Sequence, residues 1–152
     1  YPELWTRYRD VAEPILEFLE DELDPRDYIR IHGDCHRGNL LQNDKSFFFV
    51  DFDDCLNGPV VQDFWMLFGG SMHDEEGQQS RDEICEGYEE LREIPDIWHL
   101  VEPLRGLRII MYAGWIGARW NDSYFPKLFP QYTTYNYWLE EIEQLQRITH
   151  NL

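Results

Sequence analysis

At 152 residues the chain is one domain's worth, and with 43% hydrophobic and 16% aromatic residues it can bury a real core. Thirteen basic against 30 acidic side chains give a net charge of -17, a field that repels nucleic acid and anionic membranes, and ATP too unless magnesium screens its phosphates. Three cysteines, Cys35, Cys55 and Cys85, show no CxxC spacing and predict reduced thiols in a cytoplasmic protein; no signal peptide opens the chain and no apolar run nears the roughly 20 residues of a membrane span.

Taken in order, Leu4, Tyr8, Val11, Ile15, Leu19 and Leu23 recur at helical steps and predict a first helix over 2–23. Pro14 falls inside it, and an interior proline costs about 3 kcal/mol, so a kink or restart is expected there. Asp24-Pro25-Arg26-Asp27 ends the helix. Three short apolar runs follow, around Ile29-Arg30-Ile31, Leu40-Leu41 and Phe47-Phe48-Phe49-Val50, and they read as buried strands with Asn43-Asp44-Lys45-Ser46 as a turn.

Further on, Asn57-Gly58-Pro59 reads as a turn that seats Pro59 at a helix start. The run 60–68 is apolar almost all round and predicts a helix buried on most faces, with Asp63 in its middle and Gly69-Gly70 closing it. Acid-rich residues 74–93, with Ile84, Tyr88 and Leu91 as a narrow apolar stripe, predict a solvated surface helix. The longest helix is expected over 98–120, with Gly106, Ala113, Gly114 and Gly117 on one close-packing face. Arg105, Arg108, Tyr112 and Arg119 share another face, which is either a wall aimed at a phosphate or acidic substrate, or a set of ion pairs between helices. An irregular, aromatic-rich segment over 121–132 precedes a final amphipathic helix from Tyr135 to about Thr149.

The chemistry concentrates between residues 32 and 54. His32-Gly33-Asp34-Cys35-His36-Arg37-Gly38-Asn39 is a polar loop between apolar strands, and Asp51, Asp53 and Asp54 follow the next run. Polar groups this close to buried strands are costly unless they are paired or bind a metal. A carboxylate at the loop's start can orient an attacking hydroxyl and take its proton. An amide oxygen further along and a carboxylate on the following strand can hold magnesium, which prefers hard oxygen ligands and keeps room for phosphates.

His32-Gly33-Asp34-x-His36-x-x-Asn39 with Val50-Asp51-Phe52-Asp53 resembles the catalytic signature of the aminoglycoside phosphotransferase/choline kinase branch of the protein-kinase-like fold. The blocks Leu40-Leu41, Asn57-Gly58-Pro59-Val60-Val61-Gln62-Asp63-Phe64-Trp65-Met66-Leu67, Val101-Glu102-Pro103-Leu104-Arg105, Arg119-Trp120, Phe125-Pro126-Lys127 and Tyr137-Trp138-Leu139 extend it. Together they resemble the bacterial stress response kinases, a family of Ser/Thr protein kinases. The resemblance implies an α+β, mainly helical C-terminal lobe over 1–152, with a small catalytic β-hairpin on roughly five helices. It implies Asp34 as catalytic base, Asn39 and Asp51 as ligands of the Mg2+ that accompanies ATP, and His32 as a structural histidine. It also implies that Asp63 bonds the loop's backbone. Asp53 is a possible second metal contact, and His36 either meets the transferring phosphate or supports the loop.

A glycine-rich phosphate cover and a strand lysine are absent, since the only lysines, Lys45 and Lys127, sit in turn-like contexts. The ATP-clamping N-terminal lobe is therefore expected elsewhere, and the isolated chain is expected to be weak or inactive. The phosphoacceptor is a protein hydroxyl or, alternatively, a small alcohol of the aminoglycoside, choline or homoserine type. Two rivals stand beside this reading: a two-metal hydrolase built on His32, Asp34, His36, Asp51, Asp53 and Asp54, and a kinase-like binding module without activity.

Overall fold

A computed structural model describes residues 1–68 and 75–152, which form two compact units, 1–22 with 102–152, and 23–101. In the first unit, α1 (Pro2–Glu22) runs unbroken through Pro14, so the expected restart is absent. Leu4, Tyr8 and Ala12 are buried ahead of the proline, and Ile15 and Leu19 after it. Each large apolar side chain so buried is worth about 1.5–3 kcal/mol, more in sum than the proline costs. The partner helix is α6 (Tyr135–Thr149), which starts where the Thr134 hydroxyl accepts the Tyr137 N–H at 3.3 Å and buries Ile142, Leu145 and Ile148. Thr149 donates its hydroxyl to the Val11 carbonyl at 2.8 Å, in the turn that Pro14 disturbs.

Helix α4 (Val101–Ala118) has 18 residues and α1 has 21, so the helix expected to be longest is second. Its leading residues Trp98–Leu100 form a 3-10 turn instead. Gly106 admits the Ile15 side chain, whose Cδ1 would lie 3.0 Å from any added Cβ. At Gly117 an added Cβ would meet the Tyr132 hydroxyl at 2.6 Å, and that hydroxyl donates to the Ala113 carbonyl at 2.9 Å. Gly114, expected on the same close-packed face, meets nothing within 4 Å. The segment expected to be irregular holds a short helix, α5 (Phe125–Leu128), and a 3-10 turn at Pro130–Thr133. Phe125 and Phe129 pack on Trp115 at 5.0 and 6.1 Å and order it. Two residues of the arginine face are tied up locally. Arg105 pairs with Glu102 at 2.6 Å, Arg119 lies 4.8 Å over the Trp115 ring, and Arg108 is also engaged.

The second unit begins with a 3-10 turn at Pro25–Asp27, capped by Asp24. The Asp24 carboxylate bonds the Arg26 side chain and backbone, which lowers its pKa to about 2. Strand β1 (Ile29–Ile31) pairs antiparallel with β4 (Leu56–Gly58), Ile29 facing Gly58 and Ile31 facing Leu56. Residues 57 and 58, read as a turn, are therefore strand. The pairing is with a segment 27 positions earlier, and a two-residue polar stretch before proline carries no local sign of it. Strands β2 (Leu40–Gln42) and β3 (Phe47–Phe49) form a separate ribbon, Leu40 facing Phe49 and Gln42 facing Phe47, with Asn43 Oδ1 accepting the Lys45 and Ser46 N–H groups at 2.9 Å. This ribbon was expected to be buried. Leu41, Phe47, Phe48 and Phe49 are exposed, because a two-stranded ribbon offers both faces outward unless another layer covers one.

Helix α2 (Val61–Leu67) buries Val61 and Phe64, while Trp65, Met66 and Leu67 are half-buried, less enclosed than its composition implied. Phe64 meets Tyr88 of α3 (Glu75–Glu89) at 5.0 Å and Trp98 at 6.0 Å, and Arg81 lies 4.3 Å over the Trp98 ring. Leu91, assigned to the apolar stripe of α3, lies past its end and is 92% exposed. The glycine pair 69–70 expected to close α2 and Asp74 at the head of the acidic segment lie outside the described residues. No helix among the described residues is long and apolar enough to cross a membrane.

Candidate active site

All the residues singled out between 32 and 63 lie in the second unit, on the loop after β1, the β3 exit and the first turn of α2. The loop needs a left-handed residue to turn out of β1, and Gly33 supplies it at φ +84°. A Cβ there would lie 2.3 Å from the Asp54 carbonyl oxygen. The adjoining amides are held by Asp63, whose Oδ2 accepts the His32 N–H at 2.7 Å and whose Oδ1 accepts the Gly33 N–H at 2.9 Å. One carboxylate thus clamps two consecutive backbone donors, and charge-assisted bonds of this kind are among the stronger ones.

His32 is buried and both its ring nitrogens are engaged. The Asp34 N–H donates to Nδ1 at 3.3 Å, so Nε2 carries the hydrogen and donates to the Val50 carbonyl at 2.9 Å. This bond ties the loop to the end of the β2–β3 ribbon. His36 works within the loop: its Nδ1 accepts the Gly38 N–H at 2.9 Å, which leaves the hydrogen on Nε2, 3.6 Å from Asp34 Oδ2.

Asp34 and Asn39 meet directly. The Asn39 side-chain amide donates to the Asp34 backbone carbonyl at 3.0 Å and approaches its carboxylate at 3.5 Å. With Nδ2 so engaged, the amide oxygen of the buried Asn39 is left as an acceptor of the hard type that magnesium prefers. The Asn39 carbonyl accepts the Val50 N–H at 3.0 Å, which brings Asn39 beside the residue preceding Asp51. Asp51 itself has φ +64°, a left-handed backbone that side chains other than glycine rarely adopt, and it is exposed. A buried amide oxygen and an exposed carboxylate joined by one strand register suit a small divalent cation that keeps water and phosphate ligands. Asp53 and Asp54 are exposed, with no bond to the loop's side chains among the described contacts. Among the described residues no three His, Cys, Asp or Glu side chains gather closely enough to share a metal ion, so the six-residue set of the two-metal hydrolase is not assembled.

Two contributors were not foreseen. Gly33 carries the turn and its close approach to Asp54. Cys35, behind the loop, is 4% exposed, and burial, with the Asp63 and Asp34 charges adding, pushes its thiol up to about 12. A thiol so held is no nucleophile. The glycine's place in the middle of the polar motif could have signalled its role; nothing in the sequence marked the Val50 carbonyl.

Residues 1–104 match the model of the phosphotransferase enzyme family, designated APH. The chain belongs to that family. It is 46% identical over 114 residues to stress response kinase A of Escherichia coli (strain K12), an alignment covering 74% of this chain and 34% of that protein. It is 45% identical over 111 residues to the serine/threonine protein kinase RdoA of Salmonella typhimurium (strain LT2), covering 72% and 33%. The chain thus spans about a third of the length of these curated relatives. Among solved structures it resembles spectinomycin phosphotransferase APH(9)-Ia in complex with ADP and spectinomycin, with a TM-score of 0.57 at 20% identity over 99% of this chain and 46% of that one. The AMP-bound form of the same enzyme gives a TM-score of 0.52. The fold is α+β and mainly helical, that of a phosphotransferase lobe with its small ribbon.

Proposed function

We propose that this APH-family chain is the C-terminal lobe of an ATP- and magnesium-dependent kinase that phosphorylates serine or threonine hydroxyls of proteins, as the names of its bacterial relatives indicate for them. The observation that carries the reading is the Asp34–Asn39 pair on a loop whose backbone Asp63 clamps. Asp34 orients the acceptor hydroxyl and takes its proton as the oxygen attacks the terminal phosphorus of ATP, the bond from that phosphorus to the bridging oxygen breaking and ADP leaving. Asn39, through its amide oxygen, and Asp51 hold the metal ion. A magnesium ion held there would supply neutralisation of charge on the transferring phosphate. His36 supports the loop through Gly38, with its Nε2 3.6 Å from Asp34 Oδ2. Asp63 and His32 hold the loop in register with the ribbon and do not touch substrate. The exposed apolar ribbon is the surface on which the ATP-clamping lobe and nucleotide close, so the chain alone transfers phosphate poorly.

A small-molecule acceptor is the second reading, and the spectinomycin-bound relative is the observation that favours it. A chimaera in which this chain replaces the matching segment of the E. coli kinase separates the two. It is offered γ-labelled ATP with a generic protein, and separately with spectinomycin and choline. Labelled protein, lost in Asp34→Ala, is the expected result. Turnover of the small alcohols alone would favour the second reading, and an Asp34→Ala chimaera as active as the parent would overturn the base assignment.

A further inference from the structure

Between the base and the metal ligand the loop holds a side-chain donor that no contact among the described residues uses. His36 donates its backbone N–H to the Asp34 carbonyl at 2.9 Å, and its own carbonyl accepts the Asn39 N–H at 2.9 Å. Its ring is fixed twice over. The Gly38 N–H donates to Nδ1 at 2.9 Å, and a Cβ on Gly38 would lie 2.7 Å from ring Cε1 and 2.8 Å from Nδ1, so the ring seats where glycine alone leaves room. With Nδ1 accepting, the hydrogen is on Nε2. That nitrogen lies 3.6 Å from Asp34 Oδ2, too far for a hydrogen bond, and the side chain is 46% exposed.

His32, Arg37 and Asn39 each anchor a donor to a backbone carbonyl, of Val50, Leu67 and Asp34 respectively, at 2.9, 3.0 and 3.0 Å. The His36 Nε2–H is thus left over beside the base. A hydroxyl that gives its proton to Asp34 has to come within about 2.6–3.2 Å of that carboxylate. A donor held 3.6 Å from the same carboxylate flanks the oxygen and phosphorus between which the new bond forms. Negative charge in phosphoryl transfer is spread over the outer oxygens of the transferring group, and a donor already aimed at such an oxygen costs no reorganisation during the step.

We propose that His36 is a catalytic residue of the Asp34 site and donates its Nε2–H to a non-bridging oxygen of the transferring phosphoryl group. The inference rests on the proposed function and gives this side chain a task beyond supporting the loop. In the step, the bond from the acceptor oxygen to the terminal phosphorus of ATP forms, the bond from that phosphorus to the bridging oxygen breaks, and ADP leaves. The hydroxyl proton goes to Asp34, and His36 keeps its own hydrogen throughout.

Two substitutions divide the ring's nitrogens between them. His36→Asn keeps an acceptor for the Gly38 N–H at the place of Nδ1 and has nothing at the place of Nε2, whereas His36→Gln keeps an N–H at the place of Nε2 and has no acceptor for Gly38. In the chimaera, His36→Asn should lower kcat at least tenfold with the acceptor's KM unchanged, and His36→Gln should stay within about fivefold of wild type. Hydrogen exchange at the Gly38 amide should run the opposite way, unchanged in His36→Asn and faster in His36→Gln. ADP with aluminium fluoride, a mimic of the transferring group, should be held at least tenfold tighter by wild type than by His36→Asn, and ADP alone equally by both. In the chain itself, 15N chemical shifts at pH 8.5 should show the His36 ring protonated at Nε2 only. Wild-type kcat in His36→Asn, a loss in His36→Gln as deep as in His36→Asn, or a ring protonated at Nδ1 would overturn the proposal. Asp34→Asn separates it from the function it rests on: full transfer by that variant fails the kinase reading, and loss in Asp34→Asn beside an unaffected His36→Asn fails the donor alone.

Discussion

Asp63 is the residue on which the loop's shape rests, because its two carboxylate oxygens take the amides of His32 and Gly33, both buried. Removing it strands two donors at about 1–3 kcal/mol each. Asp63→Ala should therefore lose about 2–5 kcal/mol in urea unfolding and speed hydrogen exchange at the His32 and Gly33 amides; unchanged exchange there would discard the clamp. Glycine positions offer a paired comparison. Gly33→Ala sets a Cβ against the Asp54 carbonyl at a positive φ, and should cost at least about 2 kcal/mol. Gly114→Ala fills open space in the middle of α4 and should stabilise by about 0.5–1 kcal/mol. Equal effects from the two changes in thermal unfolding would contradict both placements. The motif's residue types were legible in the sequence, since an alternation of Asp, His and Asn between strands has few bland explanations. The bonds that fix them run largely to backbone atoms, at Val50, Gly33 and Gly38, and backbone atoms leave no mark on residue identity.

Among the elements, those set by helical periodicity were readable. The final helix, Tyr135 to Thr149, matches its predicted span because an amphipathic face and the Thr134 cap agree. Elements set by distant partners were not. Strand β4 exists only because Asn57 and Gly58 lie across from Arg30 and Ile29, and Pro14 stays helical only because α6 covers both sides of it. Helix α6 also yields a pH prediction. Glu141 has its carboxyl raised from 4.5 to about 7, so folding favours the protonated form. Its stabilising contribution is complete below the unfolded value near 4.5 and is lost as pH rises through about 7. Glu141→Gln keeps a neutral side chain at every pH. The variant's melting temperature should match wild type near pH 4.5 and exceed it near pH 8.5. A constant difference between the two across that range would show that Glu141 is not held neutral by the fold.

For the molecule as a whole, a net charge of -17 repels a polyanionic nucleotide, and under the proposed function a cation at the site screens that repulsion. The -17 balance and the oxygen donors at Asn39 and Asp51 point to the same requirement from opposite ends. The ribbon's exposed phenylalanines show where whole-molecule reasoning from the sequence fell short. Apolar composition implies a cover, and under the proposed function that cover is the ATP-clamping lobe rather than another layer of this chain. In that function Asp34, Asn39 and Asp51 divide base and metal work within one site. A magnesium titration of phosphate transfer by the chimaera tests this division most directly. Asn39→Ala and Asp51→Asn should raise the magnesium concentration for half-maximal rate at least tenfold, whereas Asp34→Asn should leave that concentration unchanged and cut the rate about 10²–10⁴-fold. Wild-type magnesium dependence in the first two variants, or an undiminished rate in the third, would contradict it.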